Sequence, residues 1–456
     1  MPETYDLLIK GGRAVLPGGT MTCDVAVKDG RIAELGEISE RGAGDVVDAT
    51  GLTVLPGVID SQVHFREPGM EHKEDLKTGT AAAALGGVTS IFEMPNTKPP
   101  TVDEAALTDK FDRARGRAWV DHAFFVGATA DNVDRLTELE RLPGVPGIKI
   151  FMGASTGSLL VDEAEVLDQI TRRLTRRFSV HAEDEARLRE RRHLVADGAE
   201  PEMHPEWRDA QAAVQATQQI CRLARANGAR VHVLHISTAE EMAVLADYKD
   251  VATVETTPQH LTLAGPDCYR ELGSFAQMNP PVRDARHRAG VWSGISQRIV
   301  DVLGSDHAPH TAEEKAKPYP TSPSGMPGVQ TLLPVMLDHV DQGRLSLEHL
   351  VELTSAGPAR IFNVMRKGRI AVGYDADLAL VDLHARREIT RDWLASKAGW
   401  SPFEGMACTG WPVMTLVRGQ VVAREGELVG EPQGKPVGFL ETLRESRAGR
   451  DSRAGA

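Results

Sequence analysis

The sequence predicts an α/β chain: a (β/α)8 TIM barrel carrying a small composite β-sandwich built from both chain ends. Three observations predict it. Short β-rich runs alternate with amphipathic helical runs through the middle of the chain. There are eight such β runs, the number a closed barrel needs. No G-x-G-x-x-G follows the first of them, which counts against an open doubly wound sheet.

In chain order the β runs are Thr53–Asp60, Val88–Glu93, Trp119–Val126, Gly147–Met152, Phe178–Glu183, Arg230–Ile236, Val251–Thr256 and Arg298–Ser305. Helical spacing of apolar residues marks Glu104–Arg115, Asn132–Arg141, Glu163–Leu174, Asp209–Asn227 and Thr238–Tyr248 between them. Residues 53–368 are therefore expected to form the barrel. Residues 1–52 and 369–432 carry short β pieces broken by glycine turns, such as Leu7–Ile9, Val25–Val27, Arg31–Glu34 and Thr415–Ala423, and are expected to make the sandwich. Residues 433–456 are read as an extension, loose from about Glu441 because of its Arg, Gly, Ala and Ser content. The polar, proline-rich stretch Thr311–Gly325 is a candidate mobile loop over the site.

Composition narrows the function. Of 456 residues, 41% are hydrophobic and 26% charged, which is ordinary for a globular protein. Asp and Glu outnumber Lys and Arg by 65 to 52, a net charge of −13, which argues against nucleic acid or an anionic membrane as partner. A small anionic substrate remains open, because one site can hold local positive charge. No apolar run approaches the ~18 residues of a membrane span. The start, MPETYDLLIKGG, lacks the basic and apolar regions of a signal peptide. Cys23, Cys221, Cys268 and Cys408 form no C-x-x-C pair and fit a reducing cytosol, so a cytoplasmic location is expected.

Barrel active sites sit at the C-terminal ends of the strands. His64, Lys149, His181, Glu183, His235 and Asp306 all fall there. Any one of them has an ordinary structural explanation; the recurrence at one rim is what points to a site. His232 and His235 differ by three positions and are expected on opposite faces, with His232 the structural one. Gln62 and His64 share a face, as do His181 and Glu183. Glu183 lies further into the loop and is read as solvated or as a partner to a ligand. Imidazoles with a carboxylate suit a borderline divalent ion such as Zn²⁺. Lys149 fits such a site only if neutral, or if its amine has reacted with CO2 to give a bridging carbamate.

The run Asp60-Ser61-Gln62-Val63-His64-Phe65-Arg66-Glu67-Pro68-Gly69, followed by Glu93-Met94-Pro95-Asn96-Thr97, resembles the dihydroorotases of the amidohydrolase superfamily. So do Gly147-Ile148-Lys149-Ile150-Phe151, Val180-His181-Ala182-Glu183, His235-Ile236-Ser237-Thr238 and Thr257-Pro258-Gln259-His260. Met278-Asn279-Pro280-Pro281, Ser305-Asp306-His307-Ala308-Pro309-His310 and Gly325-Met326-Pro327-Gly328 complete a series in family order that covers nearly the whole chain. The resemblance implies a binuclear zinc hydrolase that interconverts N-carbamoyl-L-aspartate and L-dihydroorotate in pyrimidine synthesis. It implies His64 and Asp306 on the first metal, His181 and His235 on the second, and N6-carboxylated Lys149 on both. Asp306 would also carry the proton from the attacking water to the leaving ring nitrogen. Arg66, Asn96 and His310 would bind the substrate carboxylate, and Asn279 with the backbone of Pro327 and Gly328 would meet the ring amides. His260 and His307 are read as structural.

One position departs from the family pattern: His-x-His on the first strand is here Gln62-Val63-His64. An amide oxygen is a weaker ligand than imidazole, so the first metal position is expected to be weak. Two other readings compete. Hydantoinases, dihydropyrimidinases and allantoinases share several of these motifs, but their substrates lack the ring carboxylate and leave Arg66 unexplained. A catalytically silent subunit that scaffolds an aspartate transcarbamoylase is favoured by Gln62 and opposed by the intact Lys149, His181, His235 and Asp306. A homo-oligomer is expected in any of these readings.

Overall fold

Eight parallel strands close the predicted barrel in a computed structural model that describes residues 5–154, 159–196 and 198–442. They are β1 (Val58–Val63), β2 (Val88–Glu93), β3 (Asp121–Phe124), β4 (Ile148–Phe151), β5 (Arg177–His181), β6 (Arg230–Val233), β7 (Ala252–Thr256) and β8 (Val302–Leu303). β1 to β3 pair side by side, Val126–Gly127 carries the ladder onto β4, and β4 to β8 follow in chain order. A parallel bridge between Val63 and His307 closes the ring.

The helices between the strands start where the sequence supplies a cap. Asp103 accepts from Ala106 N ahead of Glu104–Ala114, and Asp209 accepts from Ala212 N ahead of Ala210–Asn227. Gly228, at φ 67°, ends the latter in the left-handed conformation that glycine adopts freely. Thr238 and Glu241 form a reciprocal capping box before Ala239–Asp247. Asn132–Arg141 is not one helix: a 3₁₀ turn, Val133–Arg135, leads into Leu136–Leu139.

The first β run divides. Thr53–Pro56 lies in a seven-stranded sheet, between Arg13–Leu16 and Leu378–Glu388, and only Val58–Val63 is barrel. The split falls at Gly57, where a Cβ would collide with the Thr89 side chain. The seven-stranded sheet and a four-stranded sheet from residues 5–48 hold an apolar layer of Leu7, Ile9, Val25, Val27, Val54, Leu378, Leu380 and Leu416. The sandwich is pinned to β3 by a buried cluster in which Lys367 Nζ lies 2.6 Å from Asp121 Oδ2 and also pairs with Asp377, while Arg418 pairs with Asp121.

The part of the C-terminal extension before the stretch expected to be loose is tied to the barrel. Gly434 N donates to Ala118 O at 2.8 Å, and Glu441 pairs with Arg176 at 3.0 Å. Phe439 and Phe362 pack edge-on against Phe92 of β2 at 5.7 and 5.4 Å. Each buried ring contributes roughly 1.5–3 kcal/mol. Residues 443–456 lie outside the described residues. All four cysteines are buried and unbridged. No helix among the described residues is long and apolar enough to cross a membrane.

Candidate active site

The strand ends bring Gln62, His64, Lys149, His181, His235 and Asp306 to one small cavity, with Phe151, Asn279, Ala308, Ser324 and Gly325. Its volume is about 20 Å³, room for about one water molecule. Asn279 and Ser324 also line a neighbouring cleft of about 490 Å³, so they form the wall between the two spaces. The stretch 311–325 supplies the Ser324 side of that wall. It holds a short helix, Ala312–Lys315, whose buried Lys315 donates to Gln277 O at 3.0 Å and Pro323 O at 2.9 Å.

Two pairs organise the cavity. His64 Nε2 and Gln62 Nε2 lie 3.2 and 3.1 Å from the same Asp306 oxygen, Oδ1. His181 Nδ1 lies 3.0 Å from His235 Nε2. Neighbours fix which ring nitrogen is available. His64 Nδ1 faces Asn96 Oδ1 at 2.7 Å, leaving Nε2 for the cavity. His181 Nε2 faces Glu183 Oε2 at 2.9 Å, leaving Nδ1. Asn96 thus touches His64, in addition to any contact with substrate.

Glu183 is not solvated. It is fully buried and gripped by Arg208, whose Nε lies 3.1 Å from both carboxylate oxygens. Burial alone would raise its pKa; Arg208 and His181 overcome that and hold it far below the usual carboxylate range. Burial pushes His64, His181 and His235 towards the neutral form that can bind a metal. Burial also lowers Lys149 from 10.5 to about 7, despite the opposing fields of Asp306 and Glu255. A neutral amine is the form that reacts with CO2.

His232 does not lie opposite His235 in the way strand alternation predicts. Its Nε2 is 3.2 Å from Glu255 Oε2, and that oxygen accepts from Ser61 of β1 at 2.6 Å. β1 and β7 are separated by β8, so this chain crosses the barrel interior. Alternation fails because His235 adopts φ 37° just beyond the end of β6. Asp306 and Arg66 are also left-handed, at φ 46° and 65°. Such conformations cost on the order of 1–3 kcal/mol each and concentrate at functional sites.

Behind the cavity, Arg66 is buried, and no carboxylate pairs with it among the described residues. The expected alternatives for it, Glu67 and Asp75, are engaged elsewhere: Glu67 with Arg117 at 2.7 Å and Asp75 with Lys397 at 2.5 Å. Arg66 Nε donates to Pro309 O at 3.1 Å and its NH2 lies 3.3 Å from His310 Nε2. Burial lowers it to about 10, still charged at neutral pH. Asn279 Oδ1 is held by His204 Nε2 at 3.0 Å. Pro327 and Gly328 do not line the cavity. Gly328 N donates to His307 Nδ1 at 3.0 Å, so that amide is committed to the fold rather than to a ring. His260 is tied to Thr257 Oγ1 and Pro280 O.

The donor set fits a divalent cation. Gln62 Oε1 and His235 Nδ1 are buried without a hydrogen-bond partner among the described residues. Among the described residues no three His, Cys, Asp or Glu side chains stand grouped as ligands. Lys149 lines the same cavity as both pairs.

The chain matches the amidohydrolase family over residues 53–422. It belongs to that family. It is 36% identical over 451 residues to a dihydroorotase of Methanosarcina mazei, covering 96% of this chain and 98% of the relative. It is also 35% identical over 443 residues to an allantoinase of Escherichia coli, covering 92% and 95%. Among solved structures it resembles the L-hydantoinase of Arthrobacter aurescens, with a TM-score of 0.91, 31% identity, and coverage of 95% of this chain and all of that one. Amidohydrolase family members are generally metal-dependent.

Proposed function

We propose that this amidohydrolase is a dihydroorotase, opening and closing the cyclic amide of L-dihydroorotate to and from N-carbamoyl-L-aspartate. The carrying observation is Arg66: a buried guanidinium beside His310 with no carboxylate partner among the described residues. A charge that is removed from water calls for an anion, and the substrate's ring carboxylate supplies it. The curated dihydroorotase relatives support the same activity.

His64 and Asp306 would hold one zinc ion, His181 and His235 a second, with N6-carboxylated Lys149 joining them. When bound, the metal supplies Lewis-acid polarisation of the ring carbonyl and an activated water. Asp306 Oδ1, facing His64 and Gln62, would take the proton of the attacking water and return it to the leaving ring nitrogen. Glu183 orients His181, and Asn96 orients His64. Ser324 and Asn279 shield the reacting atoms from bulk water. The acidic overall charge and buried thiols support a cytoplasmic enzyme of small anionic substrates, with self-association and any aspartate transcarbamoylase contact as proposals for sizing experiments.

The allantoinase relative and hydantoinase neighbour favour a second reading, a cyclic amidohydrolase of another ring. Zinc-loaded protein assayed against dihydroorotate, allantoin and hydantoin separates the two. Dihydroorotate should be turned over with the highest kcat/KM; a clear preference for either other ring would reverse the assignment.

A further inference from the structure

Lys73 lies in the loop after β1, outside every motif that the sequence singles out. Its Nζ sits 3.1 Å from His310 Nδ1 and 3.1 Å from Glu314 Oε1. His310 is buried, its Nε2 is 3.0 Å from Ser324 O, and its carbonyl accepts from Trp400 Nε1 at 2.8 Å. The contacts of Lys73 and Ser324 favour one protonation pattern, against that of Arg66 NH2, which at 3.3 Å would need Nε2 as its acceptor. An ammonium only donates, so Nδ1 must be the acceptor. A carbonyl only accepts, so the ring proton must be on Nε2. Glu314 Oε2, at 3.5 Å from Nδ1, would favour the opposite tautomer, but Lys73 is nearer and already holds that carboxylate. A doubly protonated ring would set Nδ1–H against the ammonium. Burial and the charges of Arg66, Lys73 and Lys315 push His310 well below its usual pKa, in agreement.

The consequence is at Nε2. In that tautomer Nε2 cannot accept from the Arg66 NH2 group 3.3 Å away, which is left free to turn its N–H towards an anion. Two donors side by side make a fork for one anion. Ser324 O now accepts from one of them. We propose that Lys73 is a positioning residue that fixes His310 as the Nε2–H tautomer, so that His310 and Arg66 together present a two-donor fork to the substrate's carboxylate, displacing Ser324 O. This rests on the reading of Arg66 and His310 as the carboxylate site.

The test pairs spectroscopy with kinetics on zinc-loaded enzyme. Nitrogen-15 histidine spectra, with His310 assigned through a His310→Gln variant, read the tautomer directly. Wild type should show Nε2–H. Lys73→Met, or Lys73→Gln where the Met variant does not fold, should lose that single tautomer. KM for dihydroorotate should rise about 10-fold, the scale of one weakened charge-assisted contact. kcat should move less than KM, and dihydrouracil, which lacks the carboxylate, should lose about 10-fold less in kcat/KM. Lys73→Arg, which keeps a cationic donor, should restore most of the wild-type behaviour. An unchanged Nε2–H tautomer in the neutral variants, or equal losses for both substrates, would overturn the proposal. If wild type turns over neither substrate, the dihydroorotase reading fails, while the spectra still decide what Lys73 does.

Discussion

Glu183 Oε2 sits 2.9 Å from His181 Nε2 while its carboxylate is clamped by Arg208, so one buried ion pair decides which nitrogen His181 turns to the cavity. The arrangement is a ligand held from behind: the charge of Arg208 keeps Glu183 ionised, and Glu183 keeps the His181 proton on Nε2. Glu183→Gln preserves shape but removes the charge. Partners of this kind are typically worth 10–100-fold in metal affinity. Zinc titration of the apoprotein should show a loss within about that range at the second position, and an unchanged affinity would show that His181 needs no such support.

Asp306→Ala should abolish turnover while leaving metal at the His181–His235 pair, because the variant removes a proton carrier from the other pair. General acid–base groups contribute roughly 10²–10⁴-fold. A variant retaining more than about a tenth of the wild-type kcat would remove Asp306 from that role.

Arg66→Met should harm dihydroorotate far more than dihydrouracil. Losing a charge-assisted contact to the anion should cost roughly 2–4 kcal/mol for dihydroorotate alone. Equal losses would make Arg66 a structural residue and restore the hydantoinase and allantoinase readings.

Lys149 gives a pH prediction. Its pKa is depressed from 10.5 to about 7 by burial, so the folded protein releases this proton before the unfolded chain does. Between about pH 7 and 10.5 the unfolded state binds more protons, and the apoprotein should gain stability as pH rises through that window. The same shift makes the amine available for carboxylation near neutrality. At fixed dissolved CO2 and zinc, recovery of activity from apoprotein should rise with a midpoint near pH 7. A midpoint near that of free lysine would mean that the amine is not desolvated in solution.

The barrel was legible because its strands are short apolar runs between helices, and the polar lining of the cavity because those residues recur at strand ends. What escaped the sequence depends on contacts between distant segments. The division of Thr53–Asp60 follows from Gly57 crossing Thr89, which no periodicity encodes. His232 was placed by strict alternation, which the left-handed backbone of His235 breaks. Pro327 and Gly328 carry a motif, but His307 takes the Gly328 amide. Arg208 and Lys73 act through Glu183 and His310 across 25 and 237 residues of chain, and nothing near them in sequence marks them.

Gln62 offers the sharpest test of the metal arrangement. Its Nε2 donates to Asp306 Oδ1 at 3.1 Å, and its Oε1 is buried without a partner among the described residues. An amide oxygen can reach a cation there, but it is a weaker donor than the imidazole usual at this position. The first site, with His64, Asp306 and this amide, should therefore lose metal before the second under chelation. Gln62→His puts imidazoles two residues apart on one strand face, both towards Asp306, and removes the orphaned oxygen. First-site affinity should rise by about 10-fold or more, which needs only ~1.4 kcal/mol of better ligation. Calorimetric titration of zinc into wild-type and variant apoprotein, with CO2 present, reads both sites. Two indistinguishable zinc ions in both proteins would mean that another group completes the first site. A variant that gains metal but loses activity would mean that the natural enzyme works with a single ion, leaving Asp306 free of metal for its proton.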